Sequence, residues 1–482
     1  MNGKKLFPLF LLLFALALSS CSGPKGGIVC TVNCGGGGGS SLFLIVTAAT
    51  RPDSVPGTIS ILSFTANISG ISITSGSTPF TITPSNPNVD LNKLLSDTVY
   101  LGQANPSSSL LSGSTITIES AEVVYCTSTA GAGCDAGSIQ TVKTTGSQQV
   151  ADGALPNFPS GSTKLALRLF FDLQNALVLN PAGTAVTSID FTRALAQEWV
   201  VLPSAANLST SQADYVEDIL GVVTNVNTAA STITLQSQTA GTFTANVVSG
   251  TTNFSGNCGT TLTIACAVVG QVADIDTILN DDGTFTLLLF DPLVTTSTDW
   301  VEGVIGYAPT AGNQFQLVVT NFQPALTNSS IGTSLHLGDP VTVNLSNGIS
   351  FGIDAKNLLV EANGFSGASD TSVLAPGQVV AVTPTSFTAA NGATPASVNV
   401  NNLELRFTHV SGAPSAPGPN FQFTATGQYF GANLATTLET TGVTNYDLSS
   451  AGSSVIPVTP PAALRALYFG SNVGFAIAKV RQ

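Results

Sequence analysis

Short runs of strand-forming residues, separated by small polar turns, follow one another along almost the whole chain of 482 residues. Val, Ile, Thr and Phe favour extended backbone because their branched or aromatic side chains pack well on a pleated sheet, whereas Gly, Asn, Ser and Pro interrupt strands. The segment ISILSFTANISGISIT, residues 59–74, shows the alternation of a strand with one buried face. Segments with helical periodicity are scarce, so we predict an all-β protein.

Beyond residue 213 a pattern of strand, polar turn and second strand recurs. It starts at Glu217, Trp300 and Glu404 in EDILGVVTNV, WVEGVIGYAP and ELRFTHVSGA. Gly-Gln-Val also starts a strand twice, in VVGQVADI and APGQVVAV. The spacing from Gly221 to Gly303 is 82 residues (303 − 221), but the spacing from Gly303 to Gly412 is 109, which excludes a strict solenoid period. Closed sheets hide strand edges, so the pattern predicts small β-barrels in tandem.

Length and these patterns together predict the domain organisation. At about 150 residues per domain, the chain has room for about three domains, and four fit as well. One helical turn is expected within VDLNKLLSDTVYL, residues 89–101, inside an N-terminal β-sandwich. The predicted segments are a signal peptide at 1–21, a glycine-rich tether at 22–41, the β-sandwich at 42–212, and β-barrel repeats at 213–297, 298–400 and 401–482.

The first 21 residues have the features of an export signal. Lys4 and Lys5 precede an apolar run from Leu6 to Leu18, which is shorter than the roughly 20 residues that a membrane-spanning helix needs. The sequence LSSC at 18–21 resembles the bacterial lipobox, which implies cleavage before Cys21 and a diacylglyceryl group on that cysteine. Several acyl chains hold a protein on a bilayer far more firmly than a single chain does. An ordinary secretory signal with a chance cysteine is the alternative.

The segment after Cys21 and the remaining cysteines fit an exported protein. Residues 22–41 would span roughly 25 Å as a random coil. Ser22 stands where inner-membrane lipoproteins of some bacteria carry aspartate, so the resemblance favours the outer membrane. Oxidising compartments preserve disulfides, and the six cysteines other than Cys21 fall into local pairs. These disulfide candidates are Cys30 with Cys34, Cys126 with Cys134, and Cys258 with Cys266.

Charge excludes some partners. Only 9% of residues are charged and the formal net charge is −13, which argues against nucleic acid because phosphates require a basic surface. No second apolar run reaches spanning length, so the lipid is the predicted membrane attachment. The only histidines are His336 and His409, and CxxC is absent, so the sequence predicts no zinc site and no cofactor.

The layout resembles uncharacterised bacterial envelope lipoproteins that join a lipobox and a glycine-rich tether to a β-sandwich domain, followed by tandem small β-barrel domains, all of unknown function. The segments LFLIVTAAT at 42–50, VDLNKLLSD at 89–97 and LALRLFFDLQNALVLN at 165–180 carry the resemblance in the first domain. GVVTNV, GVIGYA and the Gly-Gln-Val starts carry it in the repeats. The resemblance implies an address in the envelope and no catalytic residue.

The sequence contains few arrangements that could support catalysis. GxSxG, P-loop, HExxH and strand-linked GxGxxG motifs are absent. Ser334 and His336, in GTSLHLGDP, would face one side of a strand, but a serine nucleophile also needs an orienting acid and an oxyanion hole. Asp339 lies in the following turn, so a half-exposed strand histidine is the favoured interpretation. His409, in RFTHVSG, is also predicted on a strand.

An acidic cluster in VADIDTILNDDGTF is the metal candidate. Asp274, Asp276, Asp281 and Asp282 offer hard oxygen ligands suited to calcium, but their spacing is not that of an EF-hand. The favoured interpretation is a tight hairpin turn at residues 280–283, in which the glycine supplies a positive φ.

The two tryptophans are the candidate carbohydrate platforms. Trp199 and Trp300 both lie near predicted domain junctions, where structural packing is the favoured role. The sequence as a whole predicts a non-catalytic, lipid-anchored envelope protein that acts as a structural or interaction module. An envelope glycan- or protein-binding lipoprotein is the alternative, and a hydrolase with an unrecognised site is the distant one.

Overall fold

A computed structural model describes residues 43–482 with internal gaps, and nearly all of its regular structure is β-strand, which confirms the all-β prediction. Every described residue belongs to a compact unit that runs from Gly38 to Gln482. The predicted signal peptide and tether, with Cys21, Cys30 and Cys34, lie outside the described residues. The gaps are residues 53, 58, 76, 85–87, 107–110, 128–132, 136, 153–154, 156–163, 201–213, 238–240, 310–311, 357, 359, 361–363, 415–421, 426–433, 436–444, 448–460 and 471–472.

Residues 43–200, here called the sandwich module, contain two sheets that pack face to face. Its strands are β1 Phe43–Thr50, β2 Ser60–Ser75, β3 Thr78–Ile82, β4 Asn88–Asp90, β5 Val99–Ala104, β6 Leu111–Cys126, β7 Gln140–Lys143, β8 Gln148–Asp152, β9 Lys164–Phe171, β10 Leu177–Leu179, β11 Val186–Ile189 and β12 Leu195–Val200. One sheet has the order β12-β9-β1-β5, the other β3-β2-β6-β7 with β4 and β8 alongside, and β10 pairs with β11. The two larger sheets enclose one apolar core, as predicted for a sandwich.

Short helical pieces connect some of these strands. Helix α1, Leu173–Ala176, begins at Asp172, whose side chain accepts a hydrogen bond from the Asn175 backbone N–H, the usual means of satisfying a free helix donor. The helical turn predicted within residues 89–101 is a 3-10 turn over Lys93–Leu95, and another 3-10 turn covers Phe191–Arg193.

Residues 214–295, here called the middle module, form a sheet that closes on itself. Its strands are β13 Asp214–Asn227, β14 Thr232–Ser237, β15 Gly241–Val247, β16 Asn253–Phe254, β17 Gln271–Leu279 and β18 Phe285–Thr295. Their order is β15-β14-β13-β17-β18-β16, and a parallel pairing of β15 with β18 completes the closure expected at 213–297. The predicted hairpin at residues 280–283 is confirmed, with Gly283 at φ +79° between β17 and β18.

Residues 300–481, here called the C-terminal module, form one large sheet whose two parts share strand β24. Its strands are β19 Trp300–Tyr307, β20 Gln314–Gln323, β21 Pro340–Leu345, β22 Phe351–Ile353, β23 Val379–Thr388, β24 Ala396–Pro414, β25 Gln422–Ala425, β26 Leu434–Ala435, β27 Asn445–Asp447, β28 Ala462–Tyr468 and β29 Phe475–Arg481. A pairing of β21 with β24 closes the first part of the sheet.

Strand β24 corrects one predicted boundary. The division between repeats at residues 400 and 401 falls inside this 19-residue strand. Its first part pairs with β23 and its last residues pair with β28, so the sheets predicted as repeats 2 and 3 are physically continuous. Sequence periodicity reports hairpins, but it carries no mark of a strand long enough to serve two sheets.

Three repeat glycines and two glutamines share local geometry across the modules. A Cβ on Gly221, Gly303 or Gly412 would lie 2.9, 2.4 or 2.2 Å from a carbonyl oxygen of the facing strand, which explains why each position is glycine. In the two Gly-Gln-Val segments, Gln271 and Gln378 each accept a hydrogen bond from the backbone N–H three residues earlier. The weak repeat seen in the sequence therefore corresponds to a repeated backbone arrangement.

The modules meet through apolar surfaces as well as backbone contacts. Cys134 N–H donates to the carbonyl of Gly306, so the loop closed by the Cys126–Cys134 disulfide rests on the C-terminal module. Tyr100 of β5 packs edge-on against Phe285 of β18, with ring centroids 5.2 Å apart. Within the described ranges, no helix has both the length and the apolarity to cross a membrane.

Candidate functional site

A network of buried ion pairs lies where the three modules meet. We call it the ionic cluster and define it by six basic and eight acidic residues that are joined by side-chain contacts within 4 Å. The members are Lys93, Lys356, Arg406, His409, Arg465 and Lys479, with Asp97, Glu217, Asp218, Asp274, Asp276, Asp291, Glu302 and Asp354.

All three modules contribute to the ionic cluster. The sandwich module supplies Lys93 and Asp97 from the 3-10 turn and the segment after it. Strands β13, β17 and β18 of the middle module supply five carboxylates. In the C-terminal module, β24, β28 and β29 supply four of the six basic residues, and β19 supplies Glu302. Contacts such as Lys93 Nζ to Glu302 Oε1, at 2.7 Å, therefore join residues that are far apart in the sequence.

Arg406 on β24 is surrounded by four carboxylates. Its guanidinium donates to Asp274 Oδ2 at 2.6 Å and to Glu302 Oε2 at 3.2 Å. It also contacts Asp354 and lies 3.6 Å from Asp291 Oδ2. The planar guanidinium has five donors in a fixed geometry, two more than an ammonium group, so it can serve all four carboxylates.

Lys356 and Arg465 neutralise the carboxylates of the middle module. Lys356 Nζ lies 3.0 Å from Asp274, 3.1 Å from Asp218 and 3.6 Å from Asp276. Arg465 contacts Asp218 and Asp276 and lies 3.2 Å from Glu217 Oε1. Lys356 lies in the loop after β22 and Arg465 lies on β28, so both belong to the C-terminal module. The carboxylates of the middle module are therefore paired with cations from another module.

The carboxylates outnumber the lysines and arginines of the ionic cluster by eight to five. Burial opposes the ionisation of Asp218, but Arg465 and Lys356 overcome this effect and hold its pKa well below the usual range. The pKa of Asp276 is lowered in the same way, by the same two cations. In Glu217, burial prevails over Lys479 and raises the pKa to about 8. One site thus contains carboxylates whose pKa values are displaced in opposite directions.

The calcium candidates separate into two places in the structure. Asp274 and Asp276 project from β17 into the ionic cluster, whereas Asp281 and Asp282 lie in the β17–β18 turn at the far end of that strand. The oxygens of Asp218, Asp274 and Asp276 lie within 4.8 Å of one another, as in a metal site. Lys356 Nζ already stands against all three carboxylates. An internal ammonium group therefore supplies the positive charge that a bound calcium would bring.

Asp282 has a local structural role. Its Oδ1 accepts hydrogen bonds from the Thr284 backbone N–H and from the Thr284 hydroxyl, which fixes the turn. This is the side-chain-to-backbone bonding that favours aspartate in turns.

A serine, a histidine and an aspartate also line up inside the ionic cluster. Ser96 Oγ lies 2.8 Å from His409 Nδ1, and His409 Nε2 lies 3.3 Å from Asp218 Oδ2. The order resembles a hydrolase triad, but Ser96 exposes none of its surface and its hydroxyl also donates to Asp97 Oδ1. A nucleophile must reach a substrate carbonyl. The hydrogen bond between Ser96 and His409 joins the sandwich and C-terminal modules, and the contact of His409 with Asp218 adds the middle module.

A small cleft opens beside His409. Its lining includes Asp90, Asn92 and Lys93 of the sandwich module and Thr320, Thr408 and His409 of the C-terminal module. Asp90 accepts hydrogen bonds from the backbone N–H groups of Phe64 and Asn92, and burial raises its pKa. The cleft therefore follows the junction of the modules and borders the ionic cluster.

The other predicted catalytic pair has a different environment. The structure corrects the strand assignment for Ser334 and His336, which lie in a turn region before β21. The His336 side chain is 72% exposed and its Nδ1 lies 3.4 Å from Asp339 Oδ2, while the His336 backbone N–H donates to the same carboxylate. A local turn contact between an exposed histidine and a half-buried aspartate accounts for His336 and Asp339.

Both tryptophans pack against neighbouring side chains. Trp300 is 2% exposed on β19, with the Arg406 guanidinium 5.6 Å from its ring centroid. Trp199 on β12 packs against the core of the sandwich module. The packing role favoured for both tryptophans is therefore confirmed.

The predicted pairs Cys126–Cys134 and Cys258–Cys266 are disulfides.

Sequence reasoning missed the ionic cluster, although a signal for it was present. Arg406, Arg465 and Lys479 each lie in a strand segment that is rich in apolar residues, ELRFTHV, AALRALY and FAIAKVR, respectively. A charge on the buried face of a strand requires a partner, because an uncompensated buried charge is very costly. The pattern could have identified charges that seek partners, but not which carboxylates supply them.

The chain matches no protein-family model, and no curated protein matches it either.

Proposed function

We propose that this chain is a non-catalytic, lipid-anchored protein of the bacterial cell envelope whose β modules act together as one rigid structural or interaction unit. The observation that carries the proposal is the ionic cluster. Its titratable groups are buried and contact one another, and they come from all three modules. Catalysis requires titratable groups that meet a substrate, whereas these groups hold the modules to each other.

Rigidity follows from the cost of separating such groups. Pulling the modules apart would break many charge-assisted hydrogen bonds at once, including Lys479 Nζ to Glu217 Oε2 at 2.6 Å. The apolar contacts at the same junctions would be exposed in the same step. A unit of this kind suits a stalk or a fixed binding surface better than a hinge that closes on a ligand.

The proposed address rests on the sequence before residue 43. The charged head, the apolar run and LSSC support export and lipid attachment at Cys21, and Ser22 supports the outer membrane. The two disulfides support an oxidising compartment. The membrane is the proposed partner through the lipid, and an envelope glycan or protein is the proposed further partner.

Lipid attachment is tested by metabolic labelling with an alkyne fatty acid in a bacterial host. The full chain should incorporate the label and Cys21→Ala should lose it, because the thiol of Cys21 receives the diacylglyceryl group in the proposed scheme. Cys30→Ala is the matched control, since it removes another cysteine from the same segment, and it should keep the label. Label that survives in Cys21→Ala would overturn the anchor.

A hydrolase is the competing function, because Ser96, His409 and Asp218 line up as a triad would. A fluorophosphonate probe that reacts with activated serines should leave Ser96 of the folded chain unmodified, since this side chain is fully buried. Mass spectrometry of the treated protein reads the result. Modification of Ser96 that disappears in His409→Asn would favour the hydrolase, and exposed Ser334 serves as the control for general serine reactivity.

A further inference from the structure

Four exposed aliphatic side chains lie in the loop before β17 and in the loop after β20. Leu262, Val268, Val269 and Leu326 are 58%, 58%, 61% and 67% exposed, respectively. We call them the apolar patch. Backbone bonds place the segments of Val269 and Leu326 side by side: Thr296 N–H donates to the Gly270 carbonyl, and Leu326 N–H donates to the Thr296 carbonyl. Leu262 lies in the loop that precedes Val268 in the sequence. Isolated exposed apolar residues are ordinary, but a contiguous set of them marks a contact surface.

Each segment of the apolar patch is held firmly in place. The Cys258–Cys266 disulfide closes the loop that carries Leu262. Gln271 Oε1 accepts from the Val268 N–H, and Gly270 takes φ +87° in the same turn. The loop that carries Leu326 is tied to the buried carboxylate of Asp299, which accepts hydrogen bonds from Ala325, Ser329 and Ser330. The exposure of these side chains is therefore a fixed feature of the fold.

The apolar patch is free of charge in a strongly acidic protein. No charged residue occurs from Ile219 to Ala273, and residues 292–298 and 324–332 also contain none. The whole chain nevertheless has a formal net charge of −13. A surface that approaches anionic lipid headgroups must keep carboxylates away, and a surface that enters the acyl boundary must avoid burying charge. The apolar patch satisfies both conditions.

We propose that the apolar patch inserts into the surface of a lipid bilayer, as a second membrane contact beside the anchor. A lipid partner fits better than a protein partner, because protein interfaces take most of their affinity from Trp, Tyr and Arg, and the patch has none of these. The proposal rests on the proposed membrane attachment. Firm binding to a bilayer usually needs two signals, and the patch supplies one that is weak alone.

The length of the chain permits both contacts with one bilayer. Strand β1, the first strand after residue 42, lies near the start of β18, because Thr47 pairs with Tyr100 and the Tyr100 ring packs against Phe285. The apolar patch lies near the other end of β18. The 11 residues of β18 span about 35 Å. Cys21 and Phe43 are 22 residues apart (43 − 21), which at full extension reaches at most about 75 Å. A lipid on Cys21 therefore leaves the patch free to reach the same surface.

The test places a tryptophan reporter in the apolar patch of the full chain. Val269→Trp is reconstituted into vesicles of phosphatidylcholine and phosphatidylglycerol, with and without brominated acyl chains that quench tryptophan on contact. Val473→Trp is the matched control, because Val473 is an exposed valine in the β28–β29 turn of the C-terminal module, outside the patch. The emission of Trp199 and Trp300 is measured in the unsubstituted chain and subtracted.

We expect roughly twofold quenching of the residue 269 reporter by the brominated lipid and little quenching of the residue 473 reporter, as for a side chain at the acyl boundary. Quenching at neither site, or equally at both, overturns the proposal. Shielding of the residue 269 reporter from iodide without quenching by brominated lipid also overturns it, and assigns the patch to a protein partner or a second copy of the chain. Fatty-acid labelling at Cys21 reads the anchor separately, so failure of the anchor is distinguished from failure of the patch.

Discussion

Replacing Arg406 by leucine should lower the free energy of unfolding by about 3–5 kcal/mol, one of the largest effects expected for a single substitution in this chain. The change leaves Asp274, Asp291, Glu302 and Asp354 without the cation that they share. Buried carboxylates that lose their partner must remain charged in a poor solvent or take up a proton, and both cost free energy. Chemical denaturation of the wild-type and variant chains measures the difference.

Two further variants test the same prediction if Arg406→Leu does not fold. Arg406→Lys retains the charge but cannot reach four carboxylates, so it should lose roughly half as much stability. Arg193→Leu removes an exposed arginine from the 3-10 turn after β11 and should change stability by no more than about 0.5 kcal/mol. Equal losses in Arg406→Leu and Arg193→Leu would show that the ionic cluster does not stabilise the fold.

The second large effect is an unusual dependence of stability on pH. Burial raises the pKa of Glu217 to about 8, so the folded chain holds a proton there that the unfolded chain has released. The folded state therefore binds more protons between about pH 4.5 and 8, and the free energy of unfolding falls as the pH rises through that window. The slope due to Glu217 is at most about 1.4 kcal/mol per pH unit. The melting temperature should accordingly be lower at pH 8 than at pH 5.

Below that window the sign reverses. The pKa values of Asp218, Asp276 and Glu302 are lowered because nearby cations outweigh the effect of burial. The unfolded chain then binds more protons than the folded chain, and the stability that these carboxylates give is lost as the pH falls below about 4. Thermal melts from pH 3 to pH 9 should therefore show a maximum on the acidic side of neutrality.

Glu217→Gln measures how much Glu217 contributes to the upper slope. The amide cannot release a proton, so the decline between pH 5 and 8 should flatten in this variant. Glu119→Gln changes an exposed glutamate on β6 and should leave the profile of the wild-type chain unaltered. An unchanged slope in Glu217→Gln would mean that Glu217 is ionised throughout, as its 2.6 Å contact with Lys479 Nζ would allow.

The sequence determined those parts of the structure that depend on neighbouring residues. Alternating apolar residues define β2, and Asn280 to Gly283 define the β17–β18 turn, because side-chain direction and turn dihedrals are local properties. The disulfides Cys126–Cys134 and Cys258–Cys266 close short loops, so sequence proximity was enough to pair them. The repeat glycines were visible for the same reason, since each belongs to a short hairpin pattern.

Only the tertiary structure decided how the modules are joined and what the charges do. Asp274 and Asp276 were calcium candidates, behind the favoured hairpin turn, because the sequence shows carboxylates close together. It does not show Lys356 and Arg406, 82 and 132 residues away (356 − 274 and 406 − 274). Strand β24 likewise crosses a predicted domain boundary, because its length serves two sheets. Ion pairs form wherever folding brings opposite charges within a few ångströms in a dry interior, and such distances depend on the packing of three modules rather than on spacing along the chain.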